Sequence, residues 1–166
     1  MRAVIYSVLI SLILTGCKIS YSFNGADICE QCETVSVDLF ELNTASANPQ
    51  LSQILTEALR DKFNNETRLA LVTQNADLSF TGNINVYDIK TLNIQGNETA
   101  ASSRLTIGIN VQYYNQYEPE KNFDKNFTRF ADFDASQNFN SVEFELIDQI
   151  KEQLIQDIFN NSVVNW

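Results

Sequence analysis

The chain has 166 residues, with 11 basic and 21 acidic side chains, a net charge of −10 and no histidine. This balance argues against nucleic-acid binding, because neutralising phosphates requires clusters of lysine and arginine. The lack of histidine excludes histidine general acid–base chemistry and histidine-ligated zinc. The length fits a single domain with a sizeable core.

The N-terminal residues have the features of a secretory signal. Arg2 supplies a positive charge, and the mainly apolar run over residues 3–14 is too short to span a bilayer as a resident helix. The small residues Thr15 and Gly16 then precede Cys17, where a peptidase can grip the chain in an extended form. We therefore predict a signal peptide that ends at Gly16.

The tetrapeptide Leu14-Thr15-Gly16-Cys17 resembles a bacterial lipobox. In signals of this kind the cysteine receives a diacylglyceryl thioether, becomes the first residue after cleavage, and is acylated on its new amino group. Two or more acyl chains anchor a protein stably, because each buried methylene contributes about 0.8 kcal/mol. The resemblance implies lipidation of Cys17. A plain signal peptide with a chance cysteine, or a buried thiol, is the alternative.

Cleavage before Cys17 makes the remaining chain more acidic. It removes one basic residue, Arg2, and leaves 150 residues with ten basic and 21 acidic side chains, a net charge of −11. We expect a lipidated, polar tether over residues 17–33 and one folded domain over residues 34–166. Lys18 has no acidic cluster behind it, which resembles the sorting signals of lipoproteins that face the periplasm.

Two further cysteines, Cys29 and Cys32, form a C-x-x-C motif. A redox dithiol needs a helix N-terminus to lower the thiol pKa, and a zinc site needs two more cysteine or histidine ligands. The motif is followed instead by TVSVDLF, which has a strand pattern. In the oxidising compartment that the signal implies, we favour a local disulfide, with two unreactive thiols as the alternative.

The folded part is predicted to begin with a strand and a helix. Val35, Val37 and Leu39 alternate with polar residues, which indicates a half-buried strand. Asn48-Pro49 then supplies an N-cap and a proline at the first helical position. The apolar side of this helix consists of Leu51, Ile54, Leu55, Ala58, Leu59 and Phe63. The segment RLALV is a candidate short strand.

Three long strand-like runs follow. The first extends from Leu78 to about Gln95, but its alternation slips between Val86 and Tyr87, which predicts a bulge or a stretch covered on both faces. The second has the clearest alternation of the chain. Its apolar positions are Leu105, Ile107, Ile109, Val111 and Tyr113. The third run, NFDKNFTRFADF, returns after the turn YEPEK.

A long helix is predicted from Val142 to about Val163, with Asn140 or Ser141 as its cap. Its apolar stripe consists of Val142, Leu146, Ile147, Ile150, Leu154, Ile155, Ile158 and Phe159. Two one-faced helices need a common apolar surface, which a sheet provides. The sequence thus predicts an α+β fold, with two helices on one face of a four-stranded mixed sheet in the order β-α-β-β-β-α. The first strand pair is expected to be parallel and the later meander antiparallel.

Several motifs, in order, resemble the LptE family in the form found in Bacteroidetes, which are outer-membrane lipoproteins of lipopolysaccharide transport. They are Cys17 with ISYSFNGADI, NPQLSQILTEALRDKF with TRLALV, ADLSFTGNINVYDI, IQGNETAASSRLTI, RFADFDASQNF and IFNNSVVNW. The resemblance implies two helices on a four-stranded sheet. It also implies a plug inside the lumen of the β-barrel translocon, which assists barrel assembly and contacts lipopolysaccharide during its insertion into the outer leaflet. The expected location is the outer membrane, with a lipid anchor, facing the periplasm or inside the barrel.

One departure from the family concerns charge. Proteobacterial members meet lipopolysaccharide phosphates with basic residues, whereas this chain is strongly acidic. Arg104 and Arg129 are the candidates for an anionic head group, with a charge that protects a sheet edge from aggregation as the alternative. Cys17 is the one site residue that the resemblance carries over.

Other function classes stay open at this point. A lipid-anchored periplasmic regulator of a cell-wall enzyme is one, because comparable small α/β folds host many functions. A hydrolase would have to use the carboxylates Asp132 and Asp134, or Glu118 and Glu120. Without histidine, a G-x-S-x-G motif or a ligand set, these acids are interpreted as turn and cap residues. We therefore expect no enzymatic activity, no cofactor and no metal.

The plug hypothesis predicts a large protein-contact surface. Outward aromatic side chains are expected at Tyr87, Tyr114 and Tyr117, because exposed aromatic residues are typical of protein interfaces. Ordinary strand composition is the alternative explanation for these tyrosines.

Overall fold

The computed structural model describes residues 28–92 and 101–163. The predicted signal peptide, Cys17 and most of the tether lie outside these residues. The elements are β1 (Thr34–Val37), β2 (Glu41–Leu42), α1 (Leu51–Glu66), β3 (Ala70–Leu71), β4 (Leu78–Leu92), β5 (Ser102–Asn115), a 3₁₀ turn (Pro119–Lys121), β6 (Phe123–Asp134) and α2 (Phe139–Val163). Neither helix of this part of the chain is both long and apolar enough to cross a membrane.

The described strands form one mixed sheet in the order β3-β1-β4-β5-β6, with β2 also paired to β4. β1 runs parallel to β3 and β4, and β2 parallel to β4, whereas β4, β5 and β6 form an antiparallel meander. The α+β class and the mixed sheet are therefore confirmed. The expected number of four strands is wrong, because the described sheet has six. Two of them, β2 and β3, are two residues long and too short to show a period of two.

In β1, Val35 and Val37 are buried as predicted, but Ser36 between them is also buried, so the prediction of a half-buried strand is wrong. The backbone of Phe40 then bonds to α1 instead of the sheet: its N–H donates to Thr56 Oγ1 at 3.0 Å, and its carbonyl accepts from Ser52 Oγ. This change of partner reverses the alternation, so that Phe40 is fully buried and Leu39 is 60% exposed. The predicted inward position of Leu39 is therefore wrong.

A bulge divides β4. Its pairing with β5 shifts register between Ile84 and Val86, which leaves Asn85 as the extra residue. The residues beyond the bulge change face, and Tyr87 is buried with only 7% of its surface exposed. The predicted bulge is thus confirmed, and the predicted outward position of Tyr87 is wrong. Tyr87 instead donates its hydroxyl to Glu143 Oε1 of α2 at 2.6 Å.

Both helices begin a few residues from their predicted starts. α1 begins at Leu51, and the side-chain oxygen of Asn48 accepts the N–H of Gln50 at 3.0 Å. α2 begins at Phe139, so Asn138 precedes it in place of the predicted Asn140 or Ser141. The Asn138 side chain accepts the N–H of Asn140 at 3.0 Å. Asn138 thus satisfies an N–H group of the first turn of α2, whereas Asn48 bonds to Gln50, the residue before α1.

The apolar stripes of the two helices and the inner side of β5 form one core. Phe63 of α1 joins these layers, because its ring lies 5.0 Å from that of Phe80 in β4 and 5.1 Å from that of Phe159 in α2. Most predicted stripe residues and all five predicted β5 positions are buried, while Ile54, Ala58 and Val142 are partly buried. The periodicity of the sequence therefore predicted the core-facing sides of both helices.

Replacement of Thr56 tests the contact between α1 and the chain after β1. Thr56→Val keeps the shape of the side chain but leaves the buried N–H of Phe40 without its acceptor. We expect the free energy of unfolding to fall by about 1–3 kcal/mol, as measured by urea denaturation. Thr56→Ser retains the hydroxyl and should lose less than half of that amount. Equal losses in the two variants would show that packing, and not the hydrogen bond, is responsible.

Candidate functional site

The sheet has an uncovered face opposite the helices. We call the side of β4, β5 and β6 that points away from α1 and α2 the outer face; no other described element lies against it. Its side chains are mostly hydroxyls and amides. They include Ser79, Thr81, Asn83, Thr106, Asn110, Gln112, Tyr114, Asp124, Asn126, Thr128 and Phe130. The outer face is therefore a broad polar surface with two aromatic side chains.

Hydrogen bonds between side chains order the outer face. Asp124 accepts the amide of Asn110 at 2.7 Å and that of Gln112 at 3.1 Å. Asn85, the extra residue of the bulge, donates its amide to Asn126 Oδ1 at 2.9 Å. The first two bonds join β5 to β6, and the third reaches from β4 across β5 to β6, so together they hold the polar groups in fixed positions on the surface.

Arg104 lies on the outer face and is already paired. Its Nε and Nη2 donate to the two carboxylate oxygens of Asp132 at 2.6 and 2.9 Å, and its guanidinium lies 3.5 Å from the centre of the Phe130 ring. The hydrogen bond from Arg104 lowers the pKa of Asp132, so the pair remains charged at neutral pH. An anionic head group would have to compete with Asp132 for this arginine.

Arg129 lies on the other side of the sheet. In the register of β5 and β6 it is opposite Ile107, whose side chain points to the helices. Its Nε and Nη2 donate to the carboxylate of Asp157 in α2 at 2.5 and 2.9 Å. The structure therefore does not bring Arg104 and Arg129 together, and each is bound to an acid 28 residues further along the chain.

The three predicted interface tyrosines differ in position. Tyr114 is 52% exposed on the outer face, and Tyr117 is 44% exposed in the turn after β5. Tyr87 is buried, and this burial raises the pKa of its hydroxyl. Phe130, which is 47% exposed, joins Tyr114 as the second large aromatic group of the outer face.

The segment before β1 is fastened to the domain. Cys29 and Cys32 form a disulfide whose Cα atoms are 5.3 Å apart, and the N–H of Cys32 donates to the carbonyl of Cys29 at 3.0 Å. Arg68 Nη2 donates to the carbonyls of Cys29 and Glu30 at 3.0 and 3.2 Å. Cys32 is fully buried. This part of the expected tether therefore packs into the domain.

Asp77 completes this attachment, which we call the clasp: Cys29, Cys32, Arg68, Thr34 and Asp77. The Oδ2 atom of Asp77 accepts the N–H of Glu33 at 2.9 Å, and the N–H and hydroxyl of Thr34 at 2.9 and 2.7 Å. These bonds, that from Glu33 first, lower the pKa of Asp77 below its ordinary value of 3.8. Sequence reasoning missed Asp77 because its partners lie more than 40 residues away; the nearby turn at QNAD was the only local signal.

Comparison with known proteins decides the family. Residues 32–162 match the sequence model of LptE, described as lipopolysaccharide-assembly. The chain belongs to the LptE family. This family is a non-enzymatic component of lipopolysaccharide transport and consists of outer-membrane lipoproteins. Membership implies a role in lipopolysaccharide assembly and association with the transport machinery.

Two solved structures with TM-scores above 0.5 share the fold at low sequence identity. No curated protein matches the LptE-family chain. Lipoprotein B from Nitrosomonas europaea is 13% identical, with a TM-score of 0.51 over 77% of this chain and 80% of that chain. A protein from Xanthomonas campestris is 9% identical, with a TM-score of 0.52 over 81% and 83%. A minor lipoprotein from Acinetobacter baumannii is 15% identical, with a TM-score of 0.48 over 80% and 96%.

Three of the four carboxylates considered for a hydrolase, Asp132, Asp134 and Glu118, have structural partners in this LptE-family protein. Asp134 accepts the N–H of Ser136 at 2.8 Å in the turn before α2, and this bond lowers its pKa. Glu118 pairs with Lys121 at 2.9 Å in the 3₁₀ turn. Among residues 28–92 and 101–163, no group of three or more acidic or cysteine side chains is arranged to hold a metal ion. Asp134 and Glu118 therefore serve the turns at the two ends of β6, whereas Asp132 lies within the strand and is bound to Arg104, so its interpretation as a turn or cap residue is wrong.

Removing the Asp77 carboxylate should weaken the domain in a pH-dependent way. A carboxylate with a lowered pKa stabilises the fold above its unfolded pKa, and this contribution disappears as the pH falls through the folded pKa. We expect Asp77→Ala to lower the free energy of unfolding by about 1–3 kcal/mol at pH 7. The difference from the wild type should shrink below about pH 3.8. Denaturant titrations from pH 7 to pH 2, with the exposed Asp61→Ala as a control, measure it. A pH-independent difference would contradict this role.

The disulfide of the clasp should contribute to stability. Closing so short a loop is expected to contribute about 2 kcal/mol through the entropy of the unfolded chain. Reduction with a phosphine should therefore lower the free energy of unfolding of the wild type by about that amount. The Cys29→Ala/Cys32→Ala variant should show no change on reduction. If the wild type is equally insensitive to the reductant, the disulfide is either absent or without effect.

Proposed function

We propose that this LptE-family protein is a lipid-anchored plug and assembly partner of the β-barrel that transports lipopolysaccharide across the outer membrane. It acts without catalysis and aids the insertion of lipopolysaccharide into the outer leaflet. Family membership over residues 32–162 supports the pathway. The role as a plug is supported by one observation, the broad polar surface of the outer face.

The outer face suits a partner with a polar interior. Large outer-membrane barrels have polar, water-filled lumens, in contrast to their apolar exterior. Asp124, Asn110 and Gln112 are tied to one another, so they need no ordering when a polar wall approaches. Tyr114 and Phe130 add aromatic contact area, which is typical of interface cores. The outer face thus offers a polar partner both fixed hydrogen-bonding groups and aromatic contact area.

The clasp supports an oriented attachment to the membrane. It holds Cys32 at the end of the sheet where β1 and β4 begin. An extended chain from Cys17 to Ile28 reaches at most about 40 Å, and β4 itself spans about 50 Å. We infer that the lipid on Cys17 keeps this end of the domain near the membrane, and that the far end of the β4–β5 hairpin points away from it.

Direct contact with lipopolysaccharide is the most specific part of the proposal. Arg104 is the better candidate of the two arginines, because it lies on the outer face and stacks on Phe130. A phosphate would replace Asp132 as its bidentate partner. Arg129 is bonded to Asp157 on the helix side, so it would belong to a different contact.

Recovery of the partner from native membranes tests the proposal. The tagged, lipidated protein should bring down a large outer-membrane barrel at near one-to-one stoichiometry in a mild detergent. Tyr114→Glu, which places a charge on the outer face, should reduce recovery of the barrel at least tenfold. Gln149→Glu, an exposed change on α2, should leave it unchanged. Cys17→Ala, which cannot be lipidated, should also reduce recovery.

The alternative function predicts a different result. A lipid-anchored regulator of a cell-wall enzyme would bring down a peptidoglycan synthase instead of a barrel. That outcome, or the recovery of no partner at all by the wild type, would overturn the plug proposal. Recovery of the barrel with equal yield from Tyr114→Glu would keep the partner but assign binding to a surface other than the outer face.

A further inference from the structure

The two edges of the sheet differ in a way that indicates a second binding surface. On one edge the chain presents only short pieces, the two-residue β3 beside the four-residue β1. The other edge is β6, with 12 residues, no proline or glycine and no irregularity in its pairing with β5. Proteins usually shorten, bend or charge such an edge, because it is a template for another strand. β6 has not been shortened or bent.

The register shows which backbone groups of β6 are free. The N–H of Ala135 donates to the carbonyl of Ala101, so residues of odd number in β6 bond to β5. The residues of even number direct their N–H and carbonyl groups away from the sheet. Apart from Asp134, whose carbonyl accepts the N–H of Gln137 in the following turn, they are Asp124, Asn126, Thr128, Phe130 and Asp132. No hydrogen bond from residues 28–92 or 101–163 reaches these ten backbone groups.

The charged side chains of β6 are not placed where they would block the addition of another strand to this edge. Lys125 is drawn to Asn161 of α2 at 3.1 Å, and Arg129 is held by Asp157. On the outer face, Asp132 is bound to Arg104 of β5. Each charge is therefore directed over a face of the sheet by a neighbour, instead of standing over the free backbone groups.

Pairing of β6 with a second copy of the chain is disfavoured by charge. Two copies related by a two-fold axis would pair their β6 edges in the antiparallel sense. With the axis at residue 127, Lys125 of each copy lies opposite Arg129 of the other, and with the axis at residue 128, Asp124 of each copy lies opposite Asp132 of the other. An axis through residue 129 puts Arg129 opposite itself. Like charges directly opposite each other in a ladder are destabilising, and each chain has a net charge of −10. Axes through residues 126 and 130 place no like charges opposite each other, and in those registers only the net charge of −10 on each chain opposes self-association. On that ground we take the occupant of the edge to be a different polypeptide.

We propose that the edge of β6 is a strand-addition site for an extended segment of another protein. Charge defines the segment. Next to Asp124 and Asp132 on the outer side it carries basic or polar residues, and next to Lys125, Phe127 and Arg129 on the helix side it carries apolar or acidic residues. Main-chain hydrogen bonds supply affinity and this alternation supplies specificity. The inference stands apart from the proposed function, because it concerns a docking mode and holds whichever protein supplies the segment.

Hydrogen exchange at single amides tests the site directly in the full mature, lipidated protein. The probe is the capped peptide KVTFKET, which has the proposed alternation, and the control is the charge-altered peptide EVTFEKT. Without peptide, the amides of Asn126, Thr128 and Phe130 should exchange at least a hundredfold faster than those of Phe127 and Arg129. KVTFKET should slow the first group at least tenfold, and EVTFEKT should bind at least tenfold more weakly.

A proline at residue 128 separates the edge from the rest of the strand. Thr128→Pro removes one outward N–H group but none that bonds to β5, and proline is tolerated at such edge positions. It should weaken binding of KVTFKET at least tenfold, while the matched Thr128→Ala changes it less than threefold. Retained protection at Phe127 and Arg129 shows that the variant is folded. If it is not, Asn126→Pro with Asn126→Ala replaces the pair.

Three outcomes would overturn the proposal. One is that neither peptide changes exchange along β6, and another is that Thr128→Pro binds as well as Thr128→Ala. The third is protection of the outward amides without peptide, together with concentration-dependent dimerisation in sedimentation. That result would assign the edge to a second copy of the chain. None of the three depends on recovery of the barrel, so this proposal and the proposed function can fail independently.

Discussion

The position of β4 between neighbours of both directions is the constraint on which the rest of the fold depends. β1 and β2 pair with it in parallel, and β5 pairs with it in the antiparallel sense. A Cβ atom at Gly82 would overlap the carbonyl oxygen of Asn110, so only glycine permits the close approach of β4 and β5 just before the bulge. The bulge then turns Tyr87 under α2, where it meets Glu143. β4 thus fixes both the register of the sheet and the position of α2 on it.

The division of the sheet into a covered and an uncovered side follows from this arrangement. Both helices use the same apolar face, because the ring of Phe63 in α1 contacts both Phe159 of α2 and Phe80 of the sheet. Their packing satisfies the core and leaves the outer face to hydroxyls, amides and acids. The family role in lipopolysaccharide assembly is therefore attached to a fold whose polar side is ordered by its own hydrogen bonds, without support from the helices.

Periodicity predicted the burial of side chains in regular helices and strands. It failed for residues whose positions are set by hydrogen bonds to residues distant in the sequence. The stripe of α2 and the alternation of β5 were read correctly, because each residue there follows a fixed period. Phe40 replaces Leu39 in the core because Thr56 captures its backbone, which no local pattern shows. At the site, the ion pairs of Arg104 and Arg129 join residues 28 positions apart. The sequence therefore indicated two available cations, whereas the structure contains two compensated pairs.

The clasp and the edge of β6 give the domain a direction. β6 begins at Phe123, beside Tyr113 at the end of the sheet that the clasp fastens, and it ends at Asp134 at the far end. A segment added to β6 would therefore run along the axis that leads away from the end that the clasp fastens, where we propose that the lipid anchor attaches. The ladder of outward groups fixes the register of such a segment along that axis. An anchor at one end and a ladder along one side would together hold a partner in a single orientation relative to the membrane, which neither feature achieves alone.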